Sequence, residues 1–403
     1  MLRRALVLLL GTLALAGCGG LPGGPATGPA AGGASGRAIA ILLPLSGPRA
    51  DVGKPMLQAA QLALATPDSP RLIAKDTAGT PEGAAAAAQA ALAEGASLIL
   101  GPLTSGETAA VAPIARKADV AVLAFTNDPA QAQPGVWTLG ITPAQQVRRL
   151  VAAATAQGKT GFAGLLPDTG FGHALGNALV QTTSAASVPS PHIRYYSRGM
   201  AGVNAATKEI ADYASRRGPI EAKIHEARGE GTPEGRHEAE ELAKSSVPPP
   251  PFNALLLGDT GETLSEIASL LPYYDVDRSQ VQILGPALWS SPSSGAGQFP
   301  GAWYAASDPA ARRAFEQVYA AKYGMSASPL SDLAFDAASI ARVLGGNYSV
   351  AALTQPAGFA GADGWLALLP DGEVRRGLAV FRVERGGGQM VEPAPASAGV
   401  AGT

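Results

Sequence analysis

The sequence predicts an α/β protein of two lobes, each a parallel sheet flanked by helices. Three observations carry that prediction. Short apolar runs of strand length alternate with helical patterns of about twelve residues, the rhythm of βαβ units on a parallel sheet. The alternation runs once through 38–125 and restarts after Pro143, with no low-complexity linker between the two series. Hydrophobic residues make up 46% of the 403 and charged residues 15%, which suits a well-buried protein. At this length more than one hydrophobic core is expected.

The first series opens with Ala38–Leu43, a continuous apolar run suited to a strand covered on both faces. It meets the turn Pro44-Leu-Ser-Gly-Pro48. A helical pattern over 52–65 then puts Met56, Ala59, Ala60 and Ala63 on one face. Strand 71–74, helix 81–93, strand 97–100, helix 105–117 and strand 120–125 complete the series. The second series reads helix 144–156, strand 161–165, helix 171–183 and strand 193–196. Strand 254–257, helix 260–271 and strand 281–284 follow. One segment breaks the rhythm: 216–246 is dense in Glu, Lys and Arg and stops at Pro248-Pro-Pro-Pro251. It reads either as a solvated helical insertion with mixed charge pairs or as a surface that touches a partner.

The two ends read differently. Arg3-Arg4, an apolar stretch over 5–16 and the small residues Leu15-Ala16-Gly17-Cys18 make a secretory signal, too short to span a bilayer. Leu-Ala-Gly-Cys resembles the bacterial lipobox, in which the Cys thiol is diacylated and becomes the new N-terminus. Cys18 is the single Cys of the chain. The other reading is an ordinary secreted protein with a chance Cys. By the sorting rules of lipoproteins, Gly19 in place of Asp favours the outer membrane. Residues 19–36, almost wholly Gly, Pro, Ala, Ser and Thr, read as a flexible tether, and 386–403 as a disordered tail. No second apolar run approaches about 20 residues, so nothing else is expected to span a membrane.

Several chemistries find no support. Lys+Arg number 30 against 32 Asp+Glu, and a net charge of −2 gives no electrostatic footprint for nucleic acid. There is neither a Ser-x-x-Lys nor a Gly-x-Ser-x-Gly, the nucleophile settings of two large hydrolase groups. His173, His192, His225 and His237 are scattered, without the second His that a zinc helix needs, so no metal is expected. Gly170-Phe-Gly172-His-Ala-Leu-Gly176 follows a strand and opens a helix, as a dinucleotide fingerprint would. Its last spacing is one residue too long and no acid follows at the ribose position, so the glycines read as a tight turn. Neither a cofactor nor catalysis is expected.

Better candidates are polar loops at the C-terminal ends of strands, where open α/β sheets bind ligands. They are Ser46-Gly47, the 101–107 loop with Thr104 and with Ser105 as N-cap, and Thr126-Asn127-Asp128. Free N–H groups at such a helix start attract a carboxylate, although turn and cap chemistry explains the same residues.

Residues 39–61 (IAILLPLSGPRADVGKPMLQAAQ), 100–128 and 162–172 resemble the type 1 periplasmic binding fold, as in the leucine/isoleucine/valine-binding proteins. The resemblance covers about 37 to 383 and implies lobe one from 37–141 plus 289–362. Lobe two takes 142–288, with the charged insertion 216–251, plus 363–385. A sharper match runs through Phe252-Asn-Ala-Leu-Leu-Leu, Leu271-Pro-Tyr-Tyr-Asp and Val281-Gln-Ile-Leu-Gly-Pro-Ala-Leu-Trp289. With Tyr319-Ala-Ala-Lys-Tyr-Gly324, Leu333-Ala-Phe-Asp-Ala-Ala338 and Gly364-Trp-Leu-Ala-Leu, it resembles the envelope lipoproteins known as penicillin-binding protein activators.

That resemblance implies a non-catalytic regulator of a peptidoglycan synthase, held by acyl chains at the periplasmic face of the envelope. The alternative it leaves is the substrate-binding lipoprotein of an inner-membrane ABC permease, for branched-chain amino acids or a similar small polar solute. In the amino-acid-binding relatives, the loops matching Thr104, Ser105, Thr126 and Asn127 hold the ligand carboxylate. An aromatic and an acid of the second lobe hold its ammonium. Phe171 stands where Tyr is usual, and Asp259 or Glu262 is the acid at hand; Ser46 and Trp289 complete the candidate set. A buried ammonium without partners costs several kcal/mol, so the weakened set argues against tight amino-acid capture.

Overall fold

All six residues of β1 (Ala38–Leu43) are buried, and their alternation splits the first core in two. Ile39, Ile41 and Leu43 face one layer of helices; Ala38, Ala40 and Leu42 face the other. The computed structural model describes residues 38–397. The expected signal segment, Cys18 and the 19–36 tether lie outside the described residues, as does the tail from 398. No helix among the described residues is long and apolar enough to cross a membrane.

Sheet A is built from β1, β2 (Arg71–Asp76), β3 (Leu98–Leu100), β4 (Ala121–Ala124) and β5 (Val136–Thr138). All its pairings are parallel, in the order β2-β1-β3-β4-β5. Helices α1 (Ala50–Ala63), α2 (Pro81–Ala93) and α3 (Ser105–Lys117) supply the crossovers. The second series begins with α4 (Pro143–Ala156), β6 (Phe162–Pro167), α5 (Gly170–Ala185), β7 (His192–Tyr196) and α6 (Met200–Ile210). After the helical hairpin α7 (Tyr213–Gly229) and α8 (Pro233–Lys244) come β8 (Ala254–Leu257), α9 (Gly261–Tyr273), β9 (Gln282–Gly285) and β10 (Trp303–Ala306). Here too one strand divides two cores. Leu255 and Leu257 of β8 pack with α6 and α9, while Ala254 and Leu256 pack with α4 and α5.

The chain then returns to the first lobe with α10 (Pro309–Tyr323), α11 (Ser331–Leu344) and α12 (Val350–Leu353). A small antiparallel sheet follows: β11 (Phe359–Gly361), β12 (Gly364–Leu368) and β13 (Val374–Arg376). Phe359, Leu366, Leu368 and Val374 bury into the same core as Ile39 and Trp137. Finally β14 (Ala379–Glu384) and β15 (Gly387–Glu392) run antiparallel on the edge of sheet B, whose order is β15-β14-β10-β9-β8-β6-β7.

Three expectations need correction. The second crossing falls after β10 at 306, not at 289, because β10 pairs with β9 in the second sheet. The third falls at 377, not at 363, because the β11–β13 sheet belongs to the first core. Residues 387–392 are a strand, not a disordered tail: backbone pairing to β14 needs little from the side chains. Buried Arg149 secures it, with an ion pair to Glu392 at 2.9 Å and a hydrogen bond to the Pro393 carbonyl at 3.1 Å.

The charged insertion is the α7–α8 hairpin, closed over a small core of Ile224, Ala227 and Ala239. Arg216, buried at its root, donates to the carbonyls of Pro248, Ala211 and Asp275 at 2.6, 2.8 and 2.6 Å.

Candidate functional site

The C-terminal ends of the sheet A strands face the second lobe across an open cleft of about 970 Å³. Thr104, Ser105, Thr126 and Asn127 line it from the first lobe, Phe171 and Leu288 from the second. On the first wall, Thr104 and not Ser105 caps α3. Its hydroxyl accepts from Glu107 N at 3.4 Å and donates to Glu107 Oε2 at 2.7 Å, and Thr104 N donates back to that carboxylate at 3.0 Å. This capping box satisfies helix-end donors internally. Buried Glu107 also accepts from the Thr77 hydroxyl at 2.5 Å. Ser105 is thereby released from capping; its Oγ shares a 3.2 Å hydrogen bond with Thr126 Oγ1.

Three sequence candidates do not line the cleft. Ser46 N, with Leu45 N, donates to Asp76 Oδ1 at the end of β2, so the first loop is organised by its neighbour strand. The Asp259 carboxylate accepts from the Tyr196 hydroxyl at 2.9 Å and from Thr260 N at 2.9 Å. Burial and then the Asp259 charge raise the Tyr196 pKa, so its hydroxyl stays a donor. Trp289 is buried; its indole N–H donates to the Asp259 carbonyl at 2.9 Å and its ring stacks on Phe299. Asp259, with Tyr196, and Trp289 are thus engaged within the second lobe rather than at a ligand wall.

The second lobe offers the cleft no charged side chain. Its contribution is Phe171, Gln146 and the 287–291 loop, with the Gln146 amide oxygen accepting from Ala287 N at 2.7 Å. The charges that line the cleft, Arg49, Asp308, Arg312, Asp332 and Asp363, all stand on first-lobe elements or the crossover into them.

Sequence reasoning missed the group at the cleft floor. Arg312 of α10 lies 2.9 Å from Asp332 and 3.6 Å from Asp363, and reaches Glu316 at 2.9 Å. Arg376 at the end of β13 lies 3.6 Å from Asp336, whose other oxygen accepts from Ala362 N at 2.5 Å. Burial pushes the Asp336 carboxyl up to about 6 against the pull of Arg376. Burial and a hydrogen bond to Asp363 raise Asp332 well above the usual carboxylate range. Asp363 is held below it, despite burial, by the Asp332 hydrogen bond and by Arg376 and Arg312. The available signal was Asp332 and Asp336 at i and i+4 in a helix whose residues from 333 to 338 are otherwise apolar, a pairing that marks one buried face.

The Gly170–Gly176 run is packing. A Cβ on Gly172 would stand 1.9 Å from the Pro167 carbonyl oxygen, and one on Gly176 2.2 Å from the Tyr195 hydroxyl. Gly172→Ala is therefore expected to cost about 1–3 kcal/mol through overpacking, read as a lower urea midpoint at unchanged slope.

A family model described as periplasmic binding protein matches residues 38–386. A Rhodospirillum rubrum protein, provisionally a branched-chain amino acid ABC transporter, aligns with a TM-score of 0.65 at 20% identity over 88% of this chain and 99% of its own. The C-domain of LpoA from Haemophilus influenzae, a regulator of PBP1A, aligns with a TM-score of 0.60 at 17% identity over 88% and 99%. At these identities the likeness is one of fold. Among curated proteins, uncharacterized protein RP748 of Rickettsia prowazekii (strain Madrid E) is 27% identical over 181 residues, 44% of this chain and 47% of that protein. The match thus spans about half the length of that relative.

Proposed function

The chain belongs to the periplasmic binding protein family, and from that premise we propose that it is a non-catalytic, lipid-anchored regulator of a peptidoglycan synthase. The observation that carries the reading is the uncharged second-lobe wall of the cleft. Capture of a free amino acid by lobe closure requires a counter-charge for the ammonium, because burying it unpaired costs several kcal/mol. The first-lobe acids of the cleft are already engaged, Asp332 and Asp363 by Arg312 and Asp308 by Ala310 N. Asp259, the acid the sequence offers, is turned to Tyr196 instead. A lobe surface that touches a synthase makes no such demand.

In this reading Cys18 carries the acyl chains on the periplasmic side of the outer membrane. The 19–36 segment is the tether, with an average reach of roughly 25 Å if it behaves as a flexible coil. A second reading, the solute-binding component of an inner-membrane ABC permease, draws support from Thr104, Ser105, Thr126 and Asn127 on the first wall. A small polar solute such as a branched-chain amino acid would then close the lobes.

One pair of measurements separates the two readings. The full chain in detergent is expected to be retained by an immobilised bifunctional peptidoglycan synthase. It is also expected to show no thermal shift with leucine, isoleucine or valine. A ligand at a hundredfold its Kd adds about 2.7 kcal/mol, several degrees in Tm. A saturable shift of that size without retention on the synthase overturns the regulator.

A further inference from the structure

The two lobes are joined by three crossovers, at 139–142, 307–308 and 377–378, and the buried charge cluster touches all of them. Arg376 ends the strand that enters the third crossover, and its Nε and Nη2 both donate to the Leu139 carbonyl of the first, at 3.2 and 2.9 Å. Ser307 of the second donates its hydroxyl to Asp363 Oδ2 at 3.0 Å. Three nearly buried carboxyls, Asp332, Asp336 and Asp363, face two guanidiniums, Arg312 and Arg376. Glu316, which also reaches Arg312, is half exposed and solvated. Buried charge left uncompensated is expensive, so the cluster closes its balance with one proton. Its place is the Asp332–Asp363 pair, whose Oδ1 atoms both face Arg312 Nη1, at 2.9 and 3.6 Å. Burial raises Asp332 while Asp363 is held low, so Asp332 takes the proton.

We propose that this cluster is a proton-controlled hinge lock: with one proton on the Asp332–Asp363 pair the crossovers are held together, and its loss loosens them and frees the lobes to move. The geometry gives the direction. Without the proton, two adjacent carboxylates repel, and Asp363 is the group that anchors Ser307. Arg312 and Arg376 must then serve three full charges, which competes with the grip of Arg376 on the Leu139 carbonyl. The raised pKa of Asp332 has the matching sign. A carboxyl raised in the fold favours the folded arrangement while it is protonated, and that advantage fades as the pH climbs through its folded value. The inference needs no partner, so it stands or falls apart from the synthase reading.

The test is hydrogen–deuterium exchange of the full chain at about pH 7, where Asp336, pushed up only to about 6, is already charged, and at about pH 9, corrected for intrinsic exchange. Peptides covering the three crossovers are expected to lose protection about fivefold or more at the higher pH, while the central strands β1 and β8 change far less. Asp332→Asn, permanently neutral and still a donor to Asp363, is expected to keep crossover protection at both. Wild-type crossovers indifferent to pH, loss of protection uniform across the protein, or an Asp332→Asn protein as pH-sensitive as wild type would each overturn the proposal. Should that variant fail to fold, the wild-type infrared difference spectrum decides. A protonated-carboxyl band must vanish in step with crossover exchange, and its absence overturns the lock.

Discussion

Arg376→Met lowers the free energy of unfolding by about 3–5 kcal/mol at pH near 8, as expected when one partner of a buried ion pair is removed. Arg376 is 3% exposed. Its loss strips the Leu139 carbonyl of two donors and leaves Asp336 without its guanidinium at 3.6 Å. Methionine fills much of the same volume, so most of the effect is electrostatic rather than a cavity. The pH dependence makes the expectation specific. Burial already pushes Asp336 up to about 6 with Arg376 in place, so its stabilising contribution is whole below the ordinary carboxylate value and is lost as the pH rises through 6. Without Arg376 that loss grows. The gap between wild type and variant in urea titrations should therefore be narrower near pH 4, where only the donors to the Leu139 carbonyl are lost, and wider near pH 8. Adding Asp336→Asn to Arg376→Met is expected to recover about 1–2 kcal/mol at the higher pH, a coupling that a double-mutant cycle reads directly. An equal loss at both pH values would show that Arg376 acts only through its hydrogen bonds.

The fold was legible where side chains had to declare burial. Ala38–Leu43 could be read as a central parallel strand because both its faces are covered, so every position is apolar. The caps were less legible: Ser105 was read as the N-cap that Thr104 provides, and Thr80, Thr142 and Thr169, which each cap the helix that follows by accepting from a backbone N–H, went unread. Among the strands that were missed, β10 had no helix to announce it. β9 connects to β10 through short 3-10 turns over 287–298, so the βαβ rhythm lapses and β10 went unread. β15 is Gly387–Glu392, whose composition suggests a tail while its backbone pairing makes an edge strand.

The site divides along the same line. Thr104, Ser105, Thr126 and Asn127 reach the cleft because each follows a strand whose C-terminal end opens there. Asp259 occupies an equivalent position after β8, yet position alone does not aim a side chain, and the Tyr196 hydroxyl at the end of β7, two strands away, captures it. The floor cluster joins residues far apart in sequence, Arg312 to Asp363 and Asp336 to Arg376. No local pattern links them until the β11–β13 sheet folds back onto α11.

Trp289→Ala is expected to cost about 3–5 kcal/mol, as large as any single truncation in a core. The ring is 3% exposed, stacked on Phe299 with centroids 5.9 Å apart at 15°, and tied to the Asp259 carbonyl. It also lies flat against the backbone of β9: a Cβ on Gly285 would stand 2.2 Å from the indole, so glycine is what lets the ring close over the strand. Truncation opens a cavity between β9 and Phe299 and orphans a buried carbonyl together. In thermal unfolding this should appear as a fall in Tm of more than about 6 °C. Trp289→Phe should fall by less, since it retains the stack and forfeits only the hydrogen bond and part of the area. Phe171→Ala, on the cleft wall and only half-buried, should cost less than Trp289→Ala for the opposite reason: water already reaches that ring. A Trp289→Ala protein as stable as wild type but altered in its response to a solute would return this tryptophan to the cleft. The stacked, hydrogen-bonded ring in the core predicts the reverse.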